Sequence, residues 1–238
     1  MNYPLYNNTL NPKVWNKRGS EWVLKPEVRL ALLTLASDFM AKQKSENKLN
    51  LLKTDVLLIG SMTNFNWTPF SDFDLHVVVD FKSLEMSEND AQVLLDGQKS
   101  IWNTKHNVKI KGHDVELYVQ SVTAEPVSMS SYSVQHGKWI KLPKMEKPTF
   151  DKGNIRQKHK QFLEKIQAVL RNPTEPSLES ILNKLYGMRQ AGLDKKGEFS
   201  EENIVFKILR AQGVIEKLKD AETLVYDAEQ SLKERETG

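Results

Sequence analysis

Asp72 and Asp74 stand at the head of an apolar run, Phe73-Asp74-Leu75-His76-Val77-Val78-Val79. A carboxylate there costs stability unless a cation, a basic side chain or backbone N–H groups offset its charge. Side chains alternate along a strand, so Asp72, Asp74, His76 and Val78 share one face while Phe73, Leu75, Val77 and Val79 share the other. By the same rule Asp114, Glu116 and Tyr118 share a face of a later run. If the two runs pair, two carboxylates from one and one from the other, Asp114 or Glu116, converge. A hard dication with carboxylate and water ligands resolves that charge, Mg2+ in the first place and Mn2+ as its substitute. Gly60-Ser61, closing an earlier apolar run, offers backbone N–H groups and a hydroxyl to phosphate oxygens. The plain structural alternative is a tight glycine turn followed by two acids that cap the next strand.

These residues need strands to hold them, and the pattern supplies strands and helices. Residues 25–49 read as a helix, with Pro26 in its first turn and Val28, Leu32, Leu35 and Phe39 on one face. Residues 54–62 read as a short buried strand and 72–81 as a second. A helix follows from Ser87 as N-cap, with Ala91, Leu94, Leu95, Ile101 and Trp102 on one face. Residues 108–120 form a third strand region with a bend or hairpin at Gly112. Helix, strand, strand, helix, strand predicts an α+β fold with a small mixed-sheet core. Residues 137–154, rich in lysine, proline and glycine, read as a linker. Beyond it come three helical stripes: Ile155 to Val169, Leu178 to Leu185, and Ile204 to Leu218 behind Ser200 as N-cap. The expected division is a core at 1–140 and a linker with helical subdomain at 141–238.

The 238 residues are 39% apolar and 27% charged, an ordinary globular composition. No run is long and apolar enough to span a bilayer. The first residues lack the basic-then-apolar pattern of a signal peptide, so a cytoplasmic protein with no membrane partner is expected. Cysteine is absent, which excludes disulfides, thiolate catalysis and cysteine-held metals. The net charge of +3 is small, yet ten Lys/Arg against three acids between Lys138 and Arg171 make a local +7. That run is either a phosphate-facing surface or a solvated linker and helix face. Lys158, Lys160 and Lys165 lie off the apolar stripe of their helix and are expected to face outward.

Gly60-Ser61, with Asp72-x-Asp74 following and a later acid between apolar neighbours (Val115-Glu116-Leu117), resembles the polymerase-beta superfamily of nucleotidyltransferases. The match covers about residues 50–121, and the stretches Tyr132–Pro143 and Gly197–Leu218 resemble uncharacterised phage-encoded members, whose setting is the host cytoplasm. The resemblance implies a nucleotidyltransferase core in which Gly60 and Ser61 contact the β- and γ-phosphates of a nucleoside triphosphate. Asp72, Asp74 and Glu116 would hold two metal ions and carry catalysis. Glu116 fits the pattern better than Asp114, which follows His113 and lacks apolar flanks. Lys207 and Arg210 on the third helical stripe would be the basic groups such enzymes turn to the triphosphate, or else a solvated helix face. The acceptor implied is a hydroxyl, with an RNA 3′ end favoured over a protein or small molecule; a non-catalytic nucleotide- or RNA-binding module is the rival. His76 on the acidic face contacts substrate or an outer-shell group, or is a hydrogen-bonded strand residue. Phe65, Trp67 and Phe70 either stack on a base or pin the loop between the two motif halves.

Overall fold

The computed structural model describes residues 6–124, 128–145 and 148–231. The chain falls into two compact units, Met1–Lys147 and Pro148–Gly238. Glu146 and Lys147 of the expected linker, and Met1–Leu5 of the N-terminal stretch, lie outside the described residues.

The first unit begins with an antiparallel hairpin of β1 (Trp15–Arg18) and β2 (Glu21–Leu24), followed by α1 (Pro26–Ser45). A six-stranded mixed sheet comes next, built from β3 (Leu52–Ile59), β4 (Phe73–Asp80), β5 (Lys109–Ile110), β6 (His113–Ser121), β7 (Ser131–Ser133) and β8 (Lys138–Lys141). Its order is β5-β6-β4-β3-β7-β8, and only β4 and β6 pair in parallel. The crossover between them is α2 (Glu88–Lys105). Such a crossover is what a parallel pair requires, and it leaves β4 in the interior of the sheet.

Strand alternation decides which face of β4 is dry. Phe73, Leu75, Val77 and Val79 are fully buried and join Val28, Leu32 and Phe39 of α1 and Ala91, Leu95 and Trp102 of α2 in one core. Each of the valine, leucine and phenylalanine side chains contributes about 1.5–3 kcal/mol on burial. Leu35 is only half-buried and Ile101 is exposed, so the two expected helix faces are narrower than the sequence pattern. Ser87 caps α2 as expected, accepting from the Asp90 N–H at 3.1 Å. Beyond β5 the edge of β6 is closed by Asn103 of α2. Its amide donates to the Leu117 carbonyl at 2.8 Å and accepts the Leu117 N–H at 3.1 Å, taking the place of a neighbouring strand.

Two regions depart from expectation. The residues Lys138–Lys141, expected as linker, form the edge strand β8. Trp139 is the reason: its ring stacks on Trp15 at 4.8 Å, meets Tyr132 at 5.1 Å, and its indole N–H donates to the Trp22 carbonyl at 2.7 Å. One aromatic anchor outweighs the lysines around it. In the second unit, α3 (Lys152–Arg171) and α4 (Glu175–Lys196) carry the first two stripes, with Ile155, Ile166, Leu178, Ile181, Leu182 and Leu185 buried. The third stripe is divided between α5 (Glu201–Ala211) and α6 (Val214–Gln230). The break falls at Gly213, which takes a left-handed φ of 69° and ends α5 in the way glycine commonly ends helices. Ser200 caps α5, accepting from Asn203 N–H at 3.2 Å.

Candidate metal and nucleotide site

The register of the central strands brings the acids together. Asp74 of β4 lies opposite Glu116 of β6, and Asp72 sits just before β4 on the same side of the alternation. Asp72, Asp74 and Glu116 each offer a carboxylate oxygen, and these atoms lie within 4.8 Å of one another, close enough to hold a metal ion. All three residues are half-buried. Among the described residues this is the one group of three or more potential ligands. Asp114 is elsewhere. It lies opposite Lys109 of β5, accepts from that ammonium at 2.5 Å, and is largely exposed.

Gly60 is fitted to this cluster. Antiparallel pairing places Ile59 opposite Asp74, and the chain then turns through a single 3-10 turn, Gly60–Thr63. Gly60 has φ 76°, and a Cβ there would lie 1.9 Å from Asp74 Oδ2. Any side chain would displace the carboxylate, so the turn and the acid can share this space only with glycine. The Gly60 N–H donates to Ser128 Oγ at 3.4 Å. The Ser61 hydroxyl donates to Ser71 Oγ at 2.8 Å, and Ser71 Oγ accepts the Thr68 N–H at 2.9 Å. The Ser61 and Ser71 hydroxyls thus join the two ends of the motif loop.

The loop between Gly60 and Asp72 is held by residues of the N-terminal stretch ahead of α1. Asn7 N–H donates to the Phe65 carbonyl and its amide to the Trp67 carbonyl, both at 2.7 Å. The Trp67 indole donates to the Thr9 carbonyl at 2.8 Å, and the Trp15 indole to the Met62 carbonyl at 2.8 Å. Phe65 is buried, so Phe65 and Trp67 pin the loop, whereas Phe70 is exposed. His113 is a second tie. Asn11 donates its amide to His113 Nε2 at 3.1 Å, so Nε2 accepts and Nδ1 carries the proton it gives to the Ser71 carbonyl at 2.7 Å. Burial holds the His113 pKa below its ordinary value, in keeping with a neutral ring. Nothing local in the sequence marks Asn11 for this role, because its partner is 102 positions away.

His76 lies on the acidic face, as alternation requires, opposite Tyr118. The Gln120 amide donates to the Ala124 carbonyl at 2.8 Å, which turns its oxygen to His76 Nδ1 at 3.0 Å. His76 therefore donates through Nδ1 and keeps Nε2 as an acceptor. Its ring stacks on Tyr118, with centroids 4.8 Å apart. Burial first, with Lys99 adding to it, lowers the His76 pKa from 6.5 to about 4 against the pull of the Gln120 hydrogen bond. Burial and the charges of Glu116 and Asp74 push the Tyr118 phenol well above its ordinary range.

A pH dependence of stability follows from His76. The unfolded chain protonates His76 near pH 6.5 and the folded chain only near pH 4. Its contribution is complete above pH 6.5 and is lost as the pH falls through 4. The shift corresponds to about 3 kcal/mol. Denaturation of the metal-free protein at half-unit pH steps is expected to lose stability over that window, and His76→Gln to lose less of it. His113 contributes to both proteins alike, so the difference isolates His76. An identical acid slope in the variant would remove this assignment.

Lys207 and Arg210 stand on α5 of the second unit. Lys207 donates to Glu198 at 2.8 Å. Burial raises the Glu198 pKa, but the Lys207 charge and hydrogen bond, the Arg189 charge and the Asn203 hydrogen bond together outweigh it and the net shift is downward. Lys158 does not face freely outward: it is ion-paired with Glu202 and, at 3.7 Å, with Glu201. Lys160 is exposed, 3.9 Å from Glu164, and Lys165 lies over the Phe162 ring at 5.7 Å. No helix among the described residues is long and apolar enough to cross a membrane.

No family model matches the chain, and no curated protein or solved structure matches it.

Proposed function

We propose that the first unit is the catalytic core of a metal-dependent nucleotidyltransferase, moving a nucleoside monophosphate from a triphosphate to an acceptor hydroxyl with release of pyrophosphate. In this reading the chain is a member of the polymerase-beta superfamily. The observation that carries the proposal is the meeting of Asp72, Asp74 and Glu116 at one point, against a glycine turn whose backbone leaves no room beside Asp74. A structural turn with two capping acids has no need of the third carboxylate from β6, nor of so close an approach.

Asp72 and Asp74 would hold both ions, and Glu116 the one on the acceptor side. Magnesium, or manganese in its place, supplies charge neutralisation at the leaving pyrophosphate and acidifies the acceptor hydroxyl. Ser61 and the N–H groups of the Gly60–Thr63 turn would orient the β- and γ-phosphates. Their fixed placement holds the α-phosphorus in line with the acceptor oxygen.

The basic run from Lys138 to Arg171 supports an RNA 3′ end as acceptor, with Lys160 and Lys165 rather than Lys158 as its phosphate contacts. Incubation with Mg2+, each α-labelled triphosphate and candidate acceptors tests the function. Label on RNA with matching pyrophosphate release is expected. Label on protein or a small molecule would replace the acceptor, and binding without release would leave only a nucleotide-binding module. RNA affinity is expected to fall with salt, and the log–log slope to flatten by about 0.7 for each phosphate contact removed in Lys160→Gln/Lys165→Gln. An unchanged slope would exclude that track.

Glu116→Gln is expected to slow transfer by on the order of a hundredfold at saturating triphosphate, through loss of a charged ligand. Asp114→Asn, which breaks only an exposed pair with Lys109, should stay within about twofold. The reverse ranking would mean that the third ligand is Asp114.

A further inference from the structure

We infer that the buried hydroxyls of Thr63 and Ser130 form a clasp that positions the Gly60–Thr63 turn for a triphosphate; this rests on the reading of that turn as the site of the β- and γ-phosphates. A single 3-10 turn has little stability of its own, because its hydrogen bonds are few and poorly aligned. Its leading N–H groups serve phosphate oxygens only where other elements fix their direction. β3 delivers the turn from one side, ending at Ile59. The second support comes from 67 positions further along the chain.

Thr63 and Ser130 are both fully buried. The Thr63 hydroxyl lies 2.9 Å from the Gly60 carbonyl oxygen, 2.9 Å from Ser130 Oγ and 3.2 Å from the Ser130 carbonyl oxygen. The Ser130 hydroxyl donates to the Thr63 carbonyl at 2.8 Å. Ser128 meets the other end of the turn. Its Oγ accepts the Gly60 N–H at 3.4 Å and donates to the Ser130 carbonyl at 2.9 Å. The first and last residues of the turn are therefore bonded to one short segment, residues 128–130. That segment is itself anchored: it runs directly into β7, and the Lys141 ammonium of β8 donates to the Ser128 carbonyl at 2.6 Å. A buried hydroxyl packs no better than a methyl group and costs stability unless it is bonded. What paired hydroxyls add is direction, since their bonds are satisfied in one placement of the turn.

The test is calorimetric binding of the α,β-methylene analogues of ATP, GTP, CTP and UTP, with Mg2+, to the full chain. The variants are Thr63→Val, which keeps the shape of threonine, Ser130→Ala, the double variant, and Ser133→Ala as the structural control. Ser133 is also fully buried, on β7, and bonds Asp55 at 2.7 Å. Thr63→Val and Ser130→Ala should each weaken the tightest-bound analogue about tenfold, the effect of one hydrogen bond to a charged group. The double variant should bind no more weakly than the poorer single variant, because either loss opens the clasp. Mn2+ affinity without nucleotide should stay within about twofold of wild type, the three carboxylates being untouched. Ser133→Ala should lower the thermal midpoint by a few degrees, as the clasp variants do, yet bind the analogue as wild type does. Wild-type nucleotide affinity in Thr63→Val and Ser130→Ala would overturn the inference and leave the triphosphate site standing. Equal weakening in Ser133→Ala would overturn it too, reducing the clasp to general stability. If Ser130→Ala does not fold, Thr63→Val decides by the same criterion. Wild-type protein that binds none of the analogues would overturn both the inference and the reading of the turn.

Discussion

Asp72→Asn and Asp74→Asn are each expected to reduce nucleotidyl transfer by on the order of a thousandfold or more, with little change in the fold. In the proposed mechanism both carboxylates hold both ions, so either replacement weakens the charge that stabilises the pentavalent phosphorus and the leaving pyrophosphate. Several kcal/mol of transition-state stabilisation depends on such charge, and about 4 kcal/mol corresponds to the thousandfold loss. Stability should respond differently. Asparagine keeps the size of aspartate and an acceptor oxygen, and it relieves repulsion among carboxylates gathered within 4.8 Å. The metal-free variants should therefore melt within a few degrees of wild type. Transfer rates with Mg2+ in excess, alongside thermal midpoints without metal, decide the matter. Undiminished rate in either variant would exclude a two-metal site, and unfolding of both would return the acids to a purely structural role.

Gly60→Ala is expected to be almost as damaging to activity, though it removes no chemical group. Its Cβ would stand 1.9 Å from Asp74 Oδ2, far inside contact distance, on a backbone with φ 76°. Left-handed geometry alone costs an alanine roughly 1–2 kcal/mol. Relief of the clash then requires Asp74 or the turn to move. Transfer should fall toward the level of Asp74→Asn, Mn2+ affinity should fall with it, and the thermal midpoint should drop by several degrees. Ser61→Ala is the control for the turn. It removes one hydroxyl without a clash, so a modest rise in KM for triphosphate is expected. A Gly60→Ala variant with full activity would mean that the turn does not define the position of Asp74.

The acidic site was legible in the sequence because its logic is local. A period of two puts Asp74 and His76 on one face and Phe73, Leu75 and Val77 in the core, and the burial of those three apolar side chains agrees. The hairpin at Gly112 was legible for the same reason, as was the capping of α2 and α5 by serine. What separates Asp114 from Glu116 physically is a partner strand: Lys109 lies across from one and Asp74 across from the other. Pairing of that kind is a tertiary fact.

The misses share this character. The segment from Asn7 to Trp15 has no periodicity, yet it braces the motif loop through residues 47 to 60 positions away. β8 was hidden by its lysines because the weight lies on Trp139 alone. Lys158 lies off its apolar stripe, as read, but a neighbouring helix supplies Glu201 and Glu202 to meet it. A single helical stripe continued smoothly across Gly213, while the backbone turned there. Patterns of spacing report which face a residue takes, and they carry no record of what another element brings to that face.

Crystals grown with Mn2+ and a non-hydrolysable nucleoside triphosphate analogue, measured at the manganese absorption edge, address the two-metal site directly. Two anomalous peaks are expected among Asp72, Asp74 and Glu116, with the β- and γ-phosphates against the Gly60–Thr63 turn and the α-phosphate between the ions. Bound nucleotide with no anomalous density at these carboxylates, or manganese held by other residues, would contradict it.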